Sequence, residues 1–218
     1  MATKLEVVPA LKDAVAIGIK NVASLVLTAL FYVLTVWIPY LNVGTTIAMA
    51  TIPGKLAKGE IINPTFIFDS VYRRRMGSYF LLQGFLFMML VPAFFFMIIP
   101  GYVLTIMYSL ALYIMLDKDV TPTEALELSN QATYGYKWKI FFLYVIYGVA
   151  FCILFCIINA ICDAINVGFI TLVLDIAVMV CGITCAYALV AVIYRNLFLG
   201  AEAEQPAAPA AEAAVEEA

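Results

Sequence analysis

The sequence predicts an all-α, polytopic transmembrane helical bundle of about six spans, arranged as three hairpins, with further helices lying on the cytoplasmic surface. Three observations predict it. Apolar residues make up 65% of the chain and charged residues only 12%, where a soluble domain is nearer half apolar and a quarter charged. The apolar residues come in runs, and a run of roughly 20 crosses a hydrocarbon core as a helix. With six spans, all twelve Lys and Arg residues fall on one side, which the positive-inside rule makes the cytoplasm.

Residues 1–21 read as an N-terminal interfacial helix, with Lys12, Asp13 and Lys20 as its polar points, that lies at the inner interface or extends the first span inward. No short apolar run followed by a small-residue cleavage site occurs there, so no cleavable signal peptide is expected. The transmembrane domain covers 22–198. Its first span, 22–38, ends at Trp37-Ile38-Pro39-Tyr40, and aromatic residues beside a proline suit a turn at headgroup depth. The second, 41–54, stops at Pro53-Gly54. Both are short, which fits either tilted spans or a hairpin that does not fully cross. A polar stretch follows, ending in Arg73-Arg74-Arg75. Span three, 79–99, carries Pro92, and span four, 102–116, ends at Asp117-Lys118-Asp119.

Thr121-Pro122-Thr123-Glu124 then marks a helix start: a threonine cap, proline at the first helical position and glutamate three residues after the cap. The helix, 122–134, meets Gly135 and is expected to lie on the cytoplasmic surface. Lys137-Trp138-Lys139 anchors span five, 140–162, and span six runs over 167–194. The tail, 199–218, is Ala/Glu/Pro-rich, has no apolar face to bury and is expected to be disordered. It holds five of the fifteen acids, so the body without it is slightly basic.

Two stretches carry a resemblance. One is IPYLNVGTTIAMATIPGKLAKGEIINPTFIFD, residues 38–69. The other is IIPGYVLTIMYSLALYIMLDKDVTPTEALELSNQATYGYKWKIFFL, residues 98–143. Together they resemble a loose group of bacterial multi-pass proteins related to the membrane domain of some glycerophosphoryl diester phosphodiesterases. The resemblance implies a multi-pass domain in a bacterial inner membrane. It does not imply phosphodiesterase chemistry, because the catalytic domain has no counterpart here.

The chain contains no histidine, which removes imidazole base catalysis and imidazole metal ligation. No phosphate loop, nucleotide fingerprint or serine elbow occurs. Neither an enzyme, a metal, a cofactor nor a nucleic-acid partner is expected.

Asp175 is the one ionisable residue deep in a span, where a carboxylate is costly unless paired, hydrated or protonated. It lies 19 residues before Tyr194, and Asn159 lies 19 after Ile140. The two are therefore expected at equal depth, as a structural pair or as part of a proton or cation path. Gly148, Cys152, Cys156 and Ala160 recur at intervals of four, with Ala177, Cys181 and Cys185 on the other side of the last hairpin. Small residues at this spacing let membrane helices approach closely, so a packing stripe is expected rather than a thiolate metal site. Lys55, Lys58, Arg73, Arg74 and Arg75 form a basic cluster suited to anchoring or to anionic headgroups. Gln83 is expected to bond between helices.

These readings point to a non-enzymatic membrane protein acting as a scaffold, membrane-organising element or partner subunit, with a link to curvature. Its expected partners are the bilayer, anionic lipids included, and further copies or another membrane protein. Both termini are expected in the cytoplasm. The alternative is a small-solute or lipid transporter or channel.

Overall fold

The structure, a computed structural model, describes residues 5–165 and 168–201 and has no strand among them. The expected disordered tail lies outside the described residues from 202 onward. Helix α1 spans Val7–Thr35 without interruption, so the expected surface helix and the first span are one element. The buried side of α1 explains the continuity. Ala10, Ala14, Gly18, Asn21, Leu25 and Thr28 form a stripe of mostly small residues, and α9 (Gly168–Tyr194) packs along it more extensively than any other pair of elements.

Pro39 starts α2 (Pro39–Ala57) at a position where its missing N–H is no loss. Hydroxyls close the α1–α2 hairpin. Thr35 Oγ1 donates to Thr45 Oγ1 at 3.1 Å, and the Tyr32 and Thr46 hydroxyls lie 3.2 Å apart. These contacts make the two helices antiparallel. The next segment is a 3-10 turn, Pro64–Phe68, and a one-turn helix α3, Ser70–Arg74, capped by Asn63 and Asp69. It lies along the hairpin, with the Phe68 ring 5.7 Å from that of Phe31.

Helix α4 (Met76–Phe96) turns at Met97 into α5 (Ile98–Met107). The turn comes earlier than the gap expected between spans three (79–99) and four (102–116). Gly101 instead faces Phe94, where a Cβ would stand 2.5 Å from the ring. Leu82 is the one buried residue of α4, so its apolar surface faces outward, as in a lipid-facing helix. Gln83 bonds within α4, to the Tyr79 hydroxyl at 3.3 Å, rather than between helices.

The fourth expected span is broken. Between α5 and α6 (Ala111–Lys118) the chain tightens at Tyr108–Leu110, freeing the Met107 carbonyl and the Leu110 N–H from the helical ladder. Helix α7 (Pro122–Thr133) runs back along α6 and satisfies both. Ser129 Oγ donates to Met107 O at 2.8 Å and accepts from Leu110 N at 3.3 Å, and Thr133 Oγ1 donates to Met107 O at 3.3 Å. Ser129, Thr133 and Ala125 are fully buried. So one face of α7 packs against the body, while Thr123, Glu124, Glu127 and Gln131 on its other face stay exposed. Its predicted cap is present, with Thr121 Oγ1 accepting from Glu124 N at 3.4 Å. Gly135, at φ 79°, takes the left-handed turn before α8 (Lys137–Ile165). A π-helical turn, Arg195–Leu199, follows α9.

Among the described residues, five helices are long and apolar enough to cross a bilayer: Val7–Thr35, Met76–Phe96, Ile98–Lys118, Lys137–Cys162 and Val173–Leu199. Together they identify a membrane protein. Helix α2, the expected second span, is not among the five. Asn42, three threonines, Gly44 and Pro53-Gly54 dilute its apolar content.

Candidate functional site

Several charged side chains meet at one end of the bundle. Asp117, near the end of α6, receives the Lys58 ammonium from the end of α2 on one oxygen, and the Tyr194 hydroxyl from α9 on the other at 2.8 Å. Tyr194 is fully buried, and the Asp117 side chain is 13% exposed. One carboxylate thus joins three helices. Arg75 donates through Nη1 to the Leu116 carbonyl at 2.5 Å and pairs through Nη2 with Asp119 at 3.2 Å. Arg195 pairs with Asp13 at 2.6 Å, fastening α9 to α1. The last two pairs are open to water and each contributes under ~1 kcal/mol. The Asp117 junction matters more, because a buried hydroxyl depends on it.

The expected basic cluster is not one patch. Lys58 is engaged with Asp117, and Arg75 with Leu116 and Asp119. Lys55 Nζ lies 4.2 Å from the centre of the Phe66 ring. Arg73 sits at the opposite end of α2, its guanidinium 5.7 Å from the Tyr40 ring and its Cγ 2.7 Å from where a Cβ on Gly44 would stand. Arg74 is exposed. Helical geometry explains the split. Successive residues point about 100° apart, so three adjacent arginines on one turn diverge.

In the last hairpin the structure brings Asn159 and Asp175 together. Asn159 Nδ2 donates to Asp175 Oδ1 at 2.9 Å and to the Phe155 carbonyl at 3.1 Å. Nearby, Tyr147 donates its hydroxyl to the Gly182 carbonyl. A Cβ on Gly182 would stand 2.2 Å from the Phe151 ring. Tyr147, Phe151 and Asn159 therefore make the seam of α8 with α9.

That seam corrects the expected packing stripe. Cys152, Cys156 and Ala160 are exposed, as are Ala177 and Cys181. A Cβ on Gly148 would meet nothing within 4 Å. Large side chains, not small ones, fill the space between α8 and α9, so the small residues of α8 turn outward. Cys185 is buried, but against α1: a Cβ on Gly18 would stand 2.9 Å from its sulfur. The close-packed small stripe of this protein is Ala10, Ala14 and Gly18. Its four-residue spacing is in the sequence, but Lys12 and Asp13 between those positions, and Lys20 just after them, give it the look of a surface helix.

All five cysteines are free, and no group of three or more Cys, Asp or Glu among the described residues could hold a metal ion. Two cavities with charged residues in their otherwise largely apolar walls flank the Lys58–Asp117 contact. One of about 210 Å³ is lined by Lys55, Asp69, Tyr72, Arg75 and Asp117 among others. The other, about 340 Å³, is lined by Lys20, Asn21, Lys58, Glu60 and Arg195 together with apolar residues. A small apolar cavity of about 40 Å³ lies deeper, against Leu25, Met49 and Tyr187. Asp117, Tyr194 and Arg195 did not stand out in the sequence. Each marks the end of a helix there, and nothing local says which helix ends meet.

Comparison with protein-family models, with curated proteins and with solved structures finds no match, and nothing in it links the chain to glycerophosphoryl diester phosphodiesterase membrane domains.

Proposed function

We propose that this chain is a non-enzymatic integral membrane protein that acts by assembly, as a scaffold, membrane-organising element or partner subunit. The way it uses its polar groups carries this reading. Asp175 and Asn159 satisfy each other across the last hairpin, and neither lines any of the cavities described above. A carrier instead presents mid-membrane polar groups to a solute. The alternative, a small-solute or lipid transporter or channel, draws support from the broken α5–α6 span, because transporters bind at discontinuous helices. Here the groups freed by the break are taken by Ser129 and Thr133.

The antiparallel α1 and α2 add an even number of crossings, whether the hairpin spans or only wedges into one leaflet. Both ends of the chain then share a side, and the positive-inside rule favours the cytoplasm as that side, with Arg73, at the other end of α2, as an exception. Trp37, 85% exposed at the hairpin turn, and Arg73 beside Tyr40 support a headgroup-level position for that turn. Assembly with further copies is favoured by the outward small-residue face of α8, since such faces pack helices closely in lipid.

Copies labelled with donor and acceptor dyes and reconstituted together are expected to transfer energy above the random-mixing level at the same density. Gly148→Leu is expected to reduce that transfer. Transfer at the random level for the parent protein contradicts self-assembly.

A further inference from the structure

The 340 Å³ cavity gathers three cations that are far apart in the chain: Lys20 from α1, Lys58 from the end of α2 and Arg195 from the turn after α9. Glu60 is the one carboxylate in its lining. The neighbouring 210 Å³ cavity differs, because Lys55 and Arg75 are balanced there by Asp69 and Asp117 in the same wall.

Two of the three cations are held from behind. Asp117 fixes Lys58 and Asp13 fixes Arg195, and both acids lie outside the cavity lining. Donors are left over. An ammonium has three N–H groups, of which Lys58 spends one on Asp117. A guanidinium has five, and Arg195 commits Nη2 to Asp13 and Nε to Asn196. Lys20 is exposed and pairs with no carboxylate among the described residues. Held charges with spare donors, plus one uncommitted ammonium, suit a tetrahedral oxyanion better than a cation or a neutral solute.

The remaining wall is apolar. Ile17, Leu56 and Ile61 line the same cavity, and Ile61 is 76% exposed at its mouth. Lys20 stands where the charged first half of α1 gives way to its long apolar run. Phosphate-binding donors beside apolar wall, at the edge of membrane-crossing helices, match a phospholipid. We propose that this cavity binds the phosphate of an anionic phospholipid headgroup. Basic recesses between membrane helices are suited to such headgroups. The inference holds whether the protein assembles or transports.

The test uses the full chain in neutral detergent, titrated with phosphatidylglycerol or phosphatidylcholine and followed by native mass spectrometry. The parent is expected to prefer phosphatidylglycerol by about fivefold or more, and Lys20→Gln to lose about fivefold in that affinity. Lys12→Gln removes an exposed lysine of the same helix that lies outside the cavity, and is expected to change nothing. Glu60→Gln is expected to tighten binding. Folding is not at stake, because Lys20 is exposed and unpaired. Equal losses in Lys20→Gln and Lys12→Gln reduce the effect to diffuse surface charge and overturn the site, as does the absence of any lipid preference. Millimolar orthophosphate supplies the last arm. Lipid that stays bound supports the assignment; lipid stripped in step with phosphate occupancy gives the cavity to the free ion and overturns the lipid reading.

Discussion

Gly18→Leu is expected to destabilise the protein by on the order of 2–3 kcal/mol, because overpacking a close seam forces backbone and rotamers apart. A Cβ at this position would already stand 2.9 Å from the Cys185 sulfur and 3.1 Å from the Cys185 Cα. The second atom is backbone, so it cannot swing away. The α1–α9 contact is the most extensive in the protein, and a fall of roughly 5–10 °C in the thermal midpoint in detergent follows from a loss of that size. Gly84→Leu is the matched control. It adds the same bulk to another helix glycine, but one in α4 with nothing within 4 Å, and the midpoint is expected to stay put. Equal losses in the two variants would mean that added bulk in any helix, and not the α1–α9 seam, carries the cost.

Asp117→Ala is expected to be the most damaging single change at the charged end. It removes the carboxylate oxygen to which the fully buried Tyr194 hydroxyl donates, at a cost of ~1–3 kcal/mol. Lys58 also loses its counter-charge, but its side chain is 42% exposed, so water takes over much of that role and the ion pair itself adds little. The two contributions separate by substitution. Asp117→Asn keeps an oxygen for Tyr194 and is expected to recover most of the loss. Asp117→Ala combined with Tyr194→Phe is expected to recover a similar part, because the hydroxyl that donated to Asp117 is gone. Thermal midpoints of the four proteins in one detergent measure this. If Asn is as damaging as Ala, the charge on Asp117 and not its contact with Tyr194 holds the junction.

The parts of the fold that depend on neighbours in the chain were legible. Pro39 separates α1 from α2, Thr121 caps α7 and Gly135 takes the left-handed turn, each for a reason that acts within one helical turn, although α2 begins at Pro39 itself and not after a turn there. Equal spacing from helix ends also put Asn159 and Asp175 at one level. The features that hang on which faces meet were not legible. Gly148-Cys152-Cys156-Ala160 and Ala10-Ala14-Gly18 carry the same four-residue spacing, and nothing in either stripe says that only the second is buried. The basic residues were grouped by adjacency in sequence. The fold regroups them by helix ends, so that Lys58 joins Lys20 and Arg195 while Arg73 moves to the far end of α2. The break at Tyr108–Leu110 has no proline or glycine to announce it, and Ser129 and Thr133 lie on a separate helix.

The central claim is that the polar groups within the membrane tie helices together and do not serve a solute. Asp175 tests it most directly. Vesicles of reconstituted protein enclosing a pH-sensitive dye are to be compared for the parent and for Asp175→Asn, which keeps the shape and the bond to Asn159 but removes the titratable proton. The account predicts the same internal pH trace for both proteins and for empty vesicles under an imposed proton or cation gradient, with Asp175→Asn inserting as well as the parent. A proton or cation flux present in the parent and lost in Asp175→Asn, with the fold intact, would contradict it and make the protein a transporter.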